Sequence, residues 1–287
     1  MSVPTTRELQ RPPRMLGLYA RAAAGMLPLA GRRGGGEVPE LELALRDVAV
    51  DRAHLARYAR VCGFRVGDEL PATYPHVLAF PLHMALMTDP SFPFAPVGMV
   101  HLANRITLKR PLDAGERLDL LVRAREGEPH PKGRLVEMVT EAHAGGEVAW
   151  EGLSTFLRRG GGSGETAKKR RKPPEPPRGA VWRVPGDTGR RYADVSGDRN
   201  PIHLHDLTAK AFGFKRAIAH GMWTKARCLA ALEGRLPDAY TVEVTFEKPI
   251  LLPARVAFGS LRSSSKRIDF AVRDERTGAP HLTGTIR

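Results

Sequence analysis

The feature that most restricts how this 287-residue chain can fold is that it repeats itself. RYARVCG at 57–63 returns as RYADVSG at 191–197, an offset of 134. ITLKRPLDAGERLDL at 106–120 parallels VTFEKPILLPARVAF at 244–258, an offset of 138. Helix-like apolar segments lie between these anchors in both copies, FPLHMALM at 80–87 and AHGMWTKARCLAALEG at 219–234. Two copies of a unit of about 110 residues are too few and too long for a solenoid, so the pattern reads as a fused pseudo-dimer.

Between the copies, residues 159–179 (RGGGSGETAKKRRKPPEPPRG) run from Gly-rich to charged to Pro-rich, the composition of a tether. The expected organisation is an N-terminal arm with a short helix over 1–36, a first unit over 37–158, the linker over 159–179 and a second unit over 180–287. The formal net charge of +14 follows the same division. Residues 1–36 hold six arginines against Glu8, a net of +5, and residues 158–178 hold eight basic residues against Glu165 and Glu175, a net of +6. Only +3 is left for the rest, and no nucleic-acid reading motif accompanies it, so a nucleic-acid partner is not expected. KKRRKPP could face an anionic surface or act in nuclear import, but a solvated linker is the favoured reading. Cys62 and Cys228 match no disulfide or zinc spacing, and no apolar run reaches a membrane span. The expectation is a cytoplasmic protein; Arg21 interrupts the one N-terminal stretch that resembles a targeting segment.

Each copy reads as a short helix, a loop, a longer helix and a run of strands. Asp51 caps the first short helix, and Asp187 or Thr188 the second. In TVEVTFEKP (241–249) Val242, Val244 and Phe246 alternate with polar residues, the period of a half-buried strand, and Pro249 ends it. VAFGSL, RIDFAVRD and HLTGTIR follow as strands; LDLLVRA, RLVEMVTEA and EVAWEGLSTFLR do so in the first copy, with Gly145-Gly146 as a hairpin signal. The fold class is α+β, a helix on an antiparallel sheet, occurring twice.

The chemistry concentrates in SGDRNPIHLHD (196–206), where Asp198, Asn200 and His203 fall within six residues of a segment broken by Gly197 and Pro201. A carboxylate and an imidazole on such a loop suit proton transfer near neutral pH, though the same string also fits an Asx-turn with a surface histidine. In AHGM (219–222) Gly221 opens a helix, and its N–H is a suitable donor to an oxyanion. The alternative is a glycine kept for close packing.

In this order and about 20 residues apart, YADVSGDRNPIHLHD and FKRAIAHGM resemble the motif of the MaoC-like dehydratases, the (R)-specific enoyl-CoA hydratases also called hydratase 2. The resemblance implies a double hot-dog fold and reversible hydration of trans-2-enoyl thioesters to 3-hydroxyacyl thioesters in fatty acyl metabolism. It implies that Asp198 and His203 activate water and shuttle the proton, that Asn200 positions the water, and that the Gly221 N–H binds the thioester oxygen. It requires no metal and no other cofactor; CoA or acyl carrier protein delivers the substrate. Motif similarity covers roughly 180–287. In the first copy Phe64 stands in place of Asp198, Glu69 in place of His203 and LHM in place of HGM, so one active site per chain is expected. Lys215, Arg216, Lys225 and Lys248 flank the motif as candidates for carrier phosphates. A hot-dog thioesterase and a non-catalytic acyl-CoA-binding protein are the competing functions, and both a monomer and a homodimer fit.

Overall fold

A computed structural model of the chain describes residues 5–24, 36–160 and 176–287. The first copy contributes β1 (Thr5–Leu9), α1 (Met15–Ala24), β2 (Leu41–Ala49), α2 (Arg52–Cys62), α3 (Tyr74–Met87), β3 (Met99–Leu108), β4 (Arg117–Glu126), β5 (Gly133–Ala144) and β6 (Glu147–Arg159). The second contributes β7 (Val181–Val184), α4 (Thr188–Ser196), α5 (Pro201–Leu204), α6 (Asp206–Ala211), α7 (Gly221–Ala230), β8 (Tyr240–Phe246), β9 (Ala254–Ser264), β10 (Arg267–Asp274) and β11 (Pro280–Ile286).

All the strands join one sheet in the order β1-β2-β4-β5-β6-β3-β8-β11-β10-β9-β7. Apart from β1, the second half of that order mirrors the first. The mirror lies at the antiparallel β3–β8 pair, where Arg105 faces Glu243. Those two residues are themselves 138 apart, the offset of the repeat, so a pseudo-twofold axis passes between them. The helices cover this sheet: α3 packs on β2, β4 and β5, and the buried α7 lies over the seam, where its Lys225 reaches β3 and β8. This is the double hot-dog arrangement of class α+β.

Local chemistry accounts for the elements. The Asp51 carboxylate accepts from the N–H groups of Ala53 (2.8 Å) and His54 (3.2 Å), two orphan donors of α2. Neither candidate caps α4 with its side chain; the Thr188 hydroxyl instead donates to Pro185 O. Gly145 and Gly146 have φ of +63° and +83°, as the tight turn between β5 and β6 demands. The largest departure is at the N-terminus. Residues 5–9, expected as a loose arm, pair in parallel with β2 over Thr5↔Leu41 to Leu9↔Leu45. They satisfy the edge of β2, and α1 buries Leu18 and Ala22. The rest of the arm, with Arg32 and Arg33, and linker residues 161–175, with the KKRRK run, lie outside the described residues. No helix among the described residues is long and apolar enough to cross a membrane.

Candidate active site

The loop after α4 is aimed by a glycine. Gly197, at φ +75°, caps α4 in the left-handed conformation and donates to Ala193 O at 3.0 Å. Its repeat mate Gly63, at φ +83°, does the same for α2 at Ala59 O. Asp198 follows, accepting at Oδ1 from the Asn200 N–H (3.2 Å). Asn200 then caps α5 through its side-chain oxygen, with Pro201 at the first helical position. That one-turn helix carries His203. It can lie against α4 because Gly189 has no side chain; a Cβ there would stand 1.9 Å from the His203 carbonyl oxygen.

Asp198 and His203 come together, and His220 joins them: one donor atom from each lies within 4.8 Å of the others. Asp198 keeps about 30% of its side chain exposed, whereas His203 and His220 are buried. His203 Nδ1 lies 2.8 Å from Ile218 O. A carbonyl only accepts, so Nδ1 carries the proton and Nε2 holds a free lone pair. Burial lowers the His203 pKa from its ordinary value, with the Asp198 charge opposing that shift. The imidazole is therefore neutral and able to accept a proton at pH 7.

His220 stacks on His203 with ring centroids 3.7 Å apart and planes 26° from parallel. It donates from Nε2 to Asp198 O at 2.9 Å, and its Nδ1 is buried without a partner. Three such ligands would interest a metal ion. The two rings are nearly parallel, however, so their in-plane lone pairs do not converge as a tetrahedral ion requires. The arrangement favours proton transfer.

Residues 169–284, the end of the linker and nearly all of the second copy, match the MaoC-like domain family. The whole chain is 42% identical over 270 residues to 3-hydroxyacyl-thioester dehydratase X of Mycobacterium tuberculosis, covering 93% of this chain and 95% of that protein. The chain belongs to the MaoC-like dehydratase family. The crystal structure of HtdX from Mycobacterium tuberculosis superposes with a TM-score of 0.76 at 40% identity, over 86% of this chain and 99% of that one. A MaoC-like dehydratase from Phytophthora capsici shares the fold at 21% identity, with a TM-score of 0.71 over 85% and 94% of the two chains.

In this MaoC-like dehydratase the first copy has the scaffold of the site without its groups. Phe64 is buried and stacks with Tyr58, Glu69 is exposed beside Asp113, and His83 is buried with its Nε2 2.7 Å from the Thr140 hydroxyl. No acid–base pair forms among them. Gly221 is the first residue of α7, so its N–H has no intrahelical acceptor. A Cβ there would meet the Phe246 ring at 2.9 Å, so close packing also calls for glycine. Lys215, Arg216 and Lys248 are exposed. Lys225 is not a surface cation. It is 0% exposed, and its ammonium donates to Asn104 Oδ1 (2.5 Å), Asn104 O (3.3 Å) and Val242 O (3.2 Å). Its three protons bridge the two copies and cannot reach a carrier phosphate.

Two groups in the site escaped sequence reading. His220 stands inside AHGM, but only the fold stacks it on His203. Tyr19 arrives from α1: its hydroxyl donates to Gly197 O (2.8 Å) and accepts from the Arg199 N–H (2.6 Å), clasping the loop on both sides of Asp198.

Proposed function

We propose that this chain catalyses the reversible, (R)-specific hydration of trans-2-enoyl thioesters to 3-hydroxyacyl thioesters, on CoA or acyl carrier protein, with Asp198 and His203 as its acid–base pair. At the coarser level it is a hydro-lyase of 3-hydroxyacyl thioesters, the reaction for which its Mycobacterium tuberculosis relative is named. The observation that carries the finer reading is the His203 tautomer. With Nδ1–H tied to Ile218 O, Nε2 is the ring's free basic atom, beside a carboxylate that remains partly open to solvent.

In the hydration direction a water is held between Asp198 and His203, with the Asn200 amide as a further polar contact. As the water oxygen bonds to C3, His203 Nε2 accepts its proton. The C2–C3 π electrons move toward C2 and the thioester oxygen, where the Gly221 N–H stabilises the developing charge. The pair then returns one proton to C2. One water is consumed, one C–O and one C–H bond form, and no electrons are transferred, so this chemistry calls on no redox cofactor. Reversing the steps expels the hydroxyl as water. His220 supports both directions by stacking on the base and holding the Asp198 backbone.

The test is turnover of crotonyl-CoA and of a longer trans-2-enoyl-CoA, with chiral analysis of the product. The (R)-3-hydroxyacyl thioester is expected from wild type and is lost in Asp198→Asn. Thioester cleavage that survives Asp198→Asn would instead make the protein a thioesterase, and binding without turnover would make it a carrier-binding protein.

A further inference from the structure

We propose that the pocket between α2, α4 and α7 binds a phosphate-bearing anion with at least two negative charges. The pocket has a volume of about 390 Å³, and Arg60, Arg191 and Arg227 line it together with Gly63, Thr188 and Trp223. No acidic residue among the described ones lines it. Among the described residues, none of the three arginines forms an ion pair with a carboxylate.

The repeat makes that lack of partners informative. At an offset of 134, Arg60 corresponds to Asp194, and at 138 Arg227 corresponds to Asp89. At the other end of the pseudo-twofold those positions are acidic and each is neutralised, Asp194 by Arg199 at 2.7 Å and Asp89 by Arg7 at 3.0 Å. Charge is inverted at these two positions, while Arg191 corresponds to a basic residue, Arg57, and no carboxylate among the described residues neutralises the three arginines.

One arginine is also held in place. The Arg227 guanidinium stacks on the Trp182 ring at 4.9 Å and lies over Gly63, where a Cβ would come within 2.3 Å of Nη1. A fixed guanidinium flanked by two solvent-exposed ones suits phosphate oxygens, which accept forked hydrogen bonds from arginine. The anion is either the phosphate-rich nucleotide end of a CoA thioester, in which case the inference rests on the function proposed above, or a free phosphate or nucleotide.

Calorimetric titration of the full chain with pyrophosphate and with adenosine 3′,5′-bisphosphate tests this, comparing wild type with Arg60→Gln/Arg191→Gln. Both side chains are exposed and have no carboxylate partner among the described residues, so the variant should keep its fold, which circular dichroism verifies. Binding is expected to weaken with salt and to be about ten-fold or more weaker in the variant. A KM that rises for crotonyl-CoA, but not for the N-acetylcysteamine thioester lacking phosphates, identifies the carrier as the source. An unchanged KM for both identifies a free phosphate. Absence of binding by both probes, or equal binding in the variant, overturns the proposal. Turnover of the N-acetylcysteamine thioester tests the enzymatic reading separately.

Discussion

Tyr19 makes the loop that carries Asp198 depend on a side chain about 180 residues earlier in the chain. One hydroxyl both donates to Gly197 O and accepts from the Arg199 N–H, so Tyr19→Phe removes both bonds while keeping the ring. A small displacement of an acid–base group is costly in rate. The expected result is a kcat lower by about ten-fold with little change in KM, read by steady-state kinetics. The pH profile reports on His203. Its folded pKa is lowered chiefly by burial, so the neutral base persists below the ordinary histidine value of about 6.5, and the acid limb of the rate profile should lie below that pH. Asp198 raises that pKa, so the limb should move lower still in the residual activity of Asp198→Asn. Asp198, Asn200 and His203 are close in sequence, but their spacing alone also fitted an Asx-turn, and it was the resemblance to the MaoC-like motif that singled them out. His220 was not, since its stacking depends on where the start of α7 meets α5.

At the scale of elements, α7 joins the two copies. Its Lys225 is fully buried and fully hydrogen-bonded across the β3–β8 seam, so removing it leaves a cavity and strands the Asn104 side-chain oxygen. Lys225→Ala is expected to cost about 3 kcal/mol, measured by urea unfolding. A change under about 0.5 kcal/mol would show that the seam does not need it. Sequence periodicity could not find this, because a lysine on a helix normally reads as a solvated cation. Strand alternation served better: RIDFAVRD coincides with β10, and the first six residues of TVEVTFEKP fall on β8, which ends at Phe246 and whose inward residues alternate. The strands that escaped were β1, a short polar run whose Thr5–Glu8 are exposed, β2, whose first five residues are all buried and show no period of two, and also β3 and the four-residue β7.

For the molecule as a whole, the internal repeat proved the most informative reading, since its offset of 138 also sets the register in which Arg105 meets Glu243. What the repeat could not foretell is how many neutral histidines the interior holds. Burial lowers the pKa of His76 to about 4 and of His101 to about 3, and holds His83, His203 and His220 below their ordinary value. A lowered folded pKa means the unfolded chain takes up protons first as pH falls. Their contribution is therefore complete above about pH 6.5 and declines below it, toward pH 4 for His76 and pH 3 for His101, by about 1.4 kcal/mol per pH unit for each. Unfolding free energies at pH 7.5 and pH 5.0 should differ by at least about 2 kcal/mol, the lower value at pH 5.0.

The most direct test of the acid–base pair is a kinetic cycle with trans-2-enoyl-CoA, comparing kcat for wild type, Asp198→Asn, His203→Gln and the double variant. If the two groups act as one unit, each single substitution lowers kcat by about 10²–10⁴-fold and the double variant is no slower than the worse single. Independent effects that multiply in the double variant, or a single variant that keeps near-wild-type turnover, would contradict the pairing.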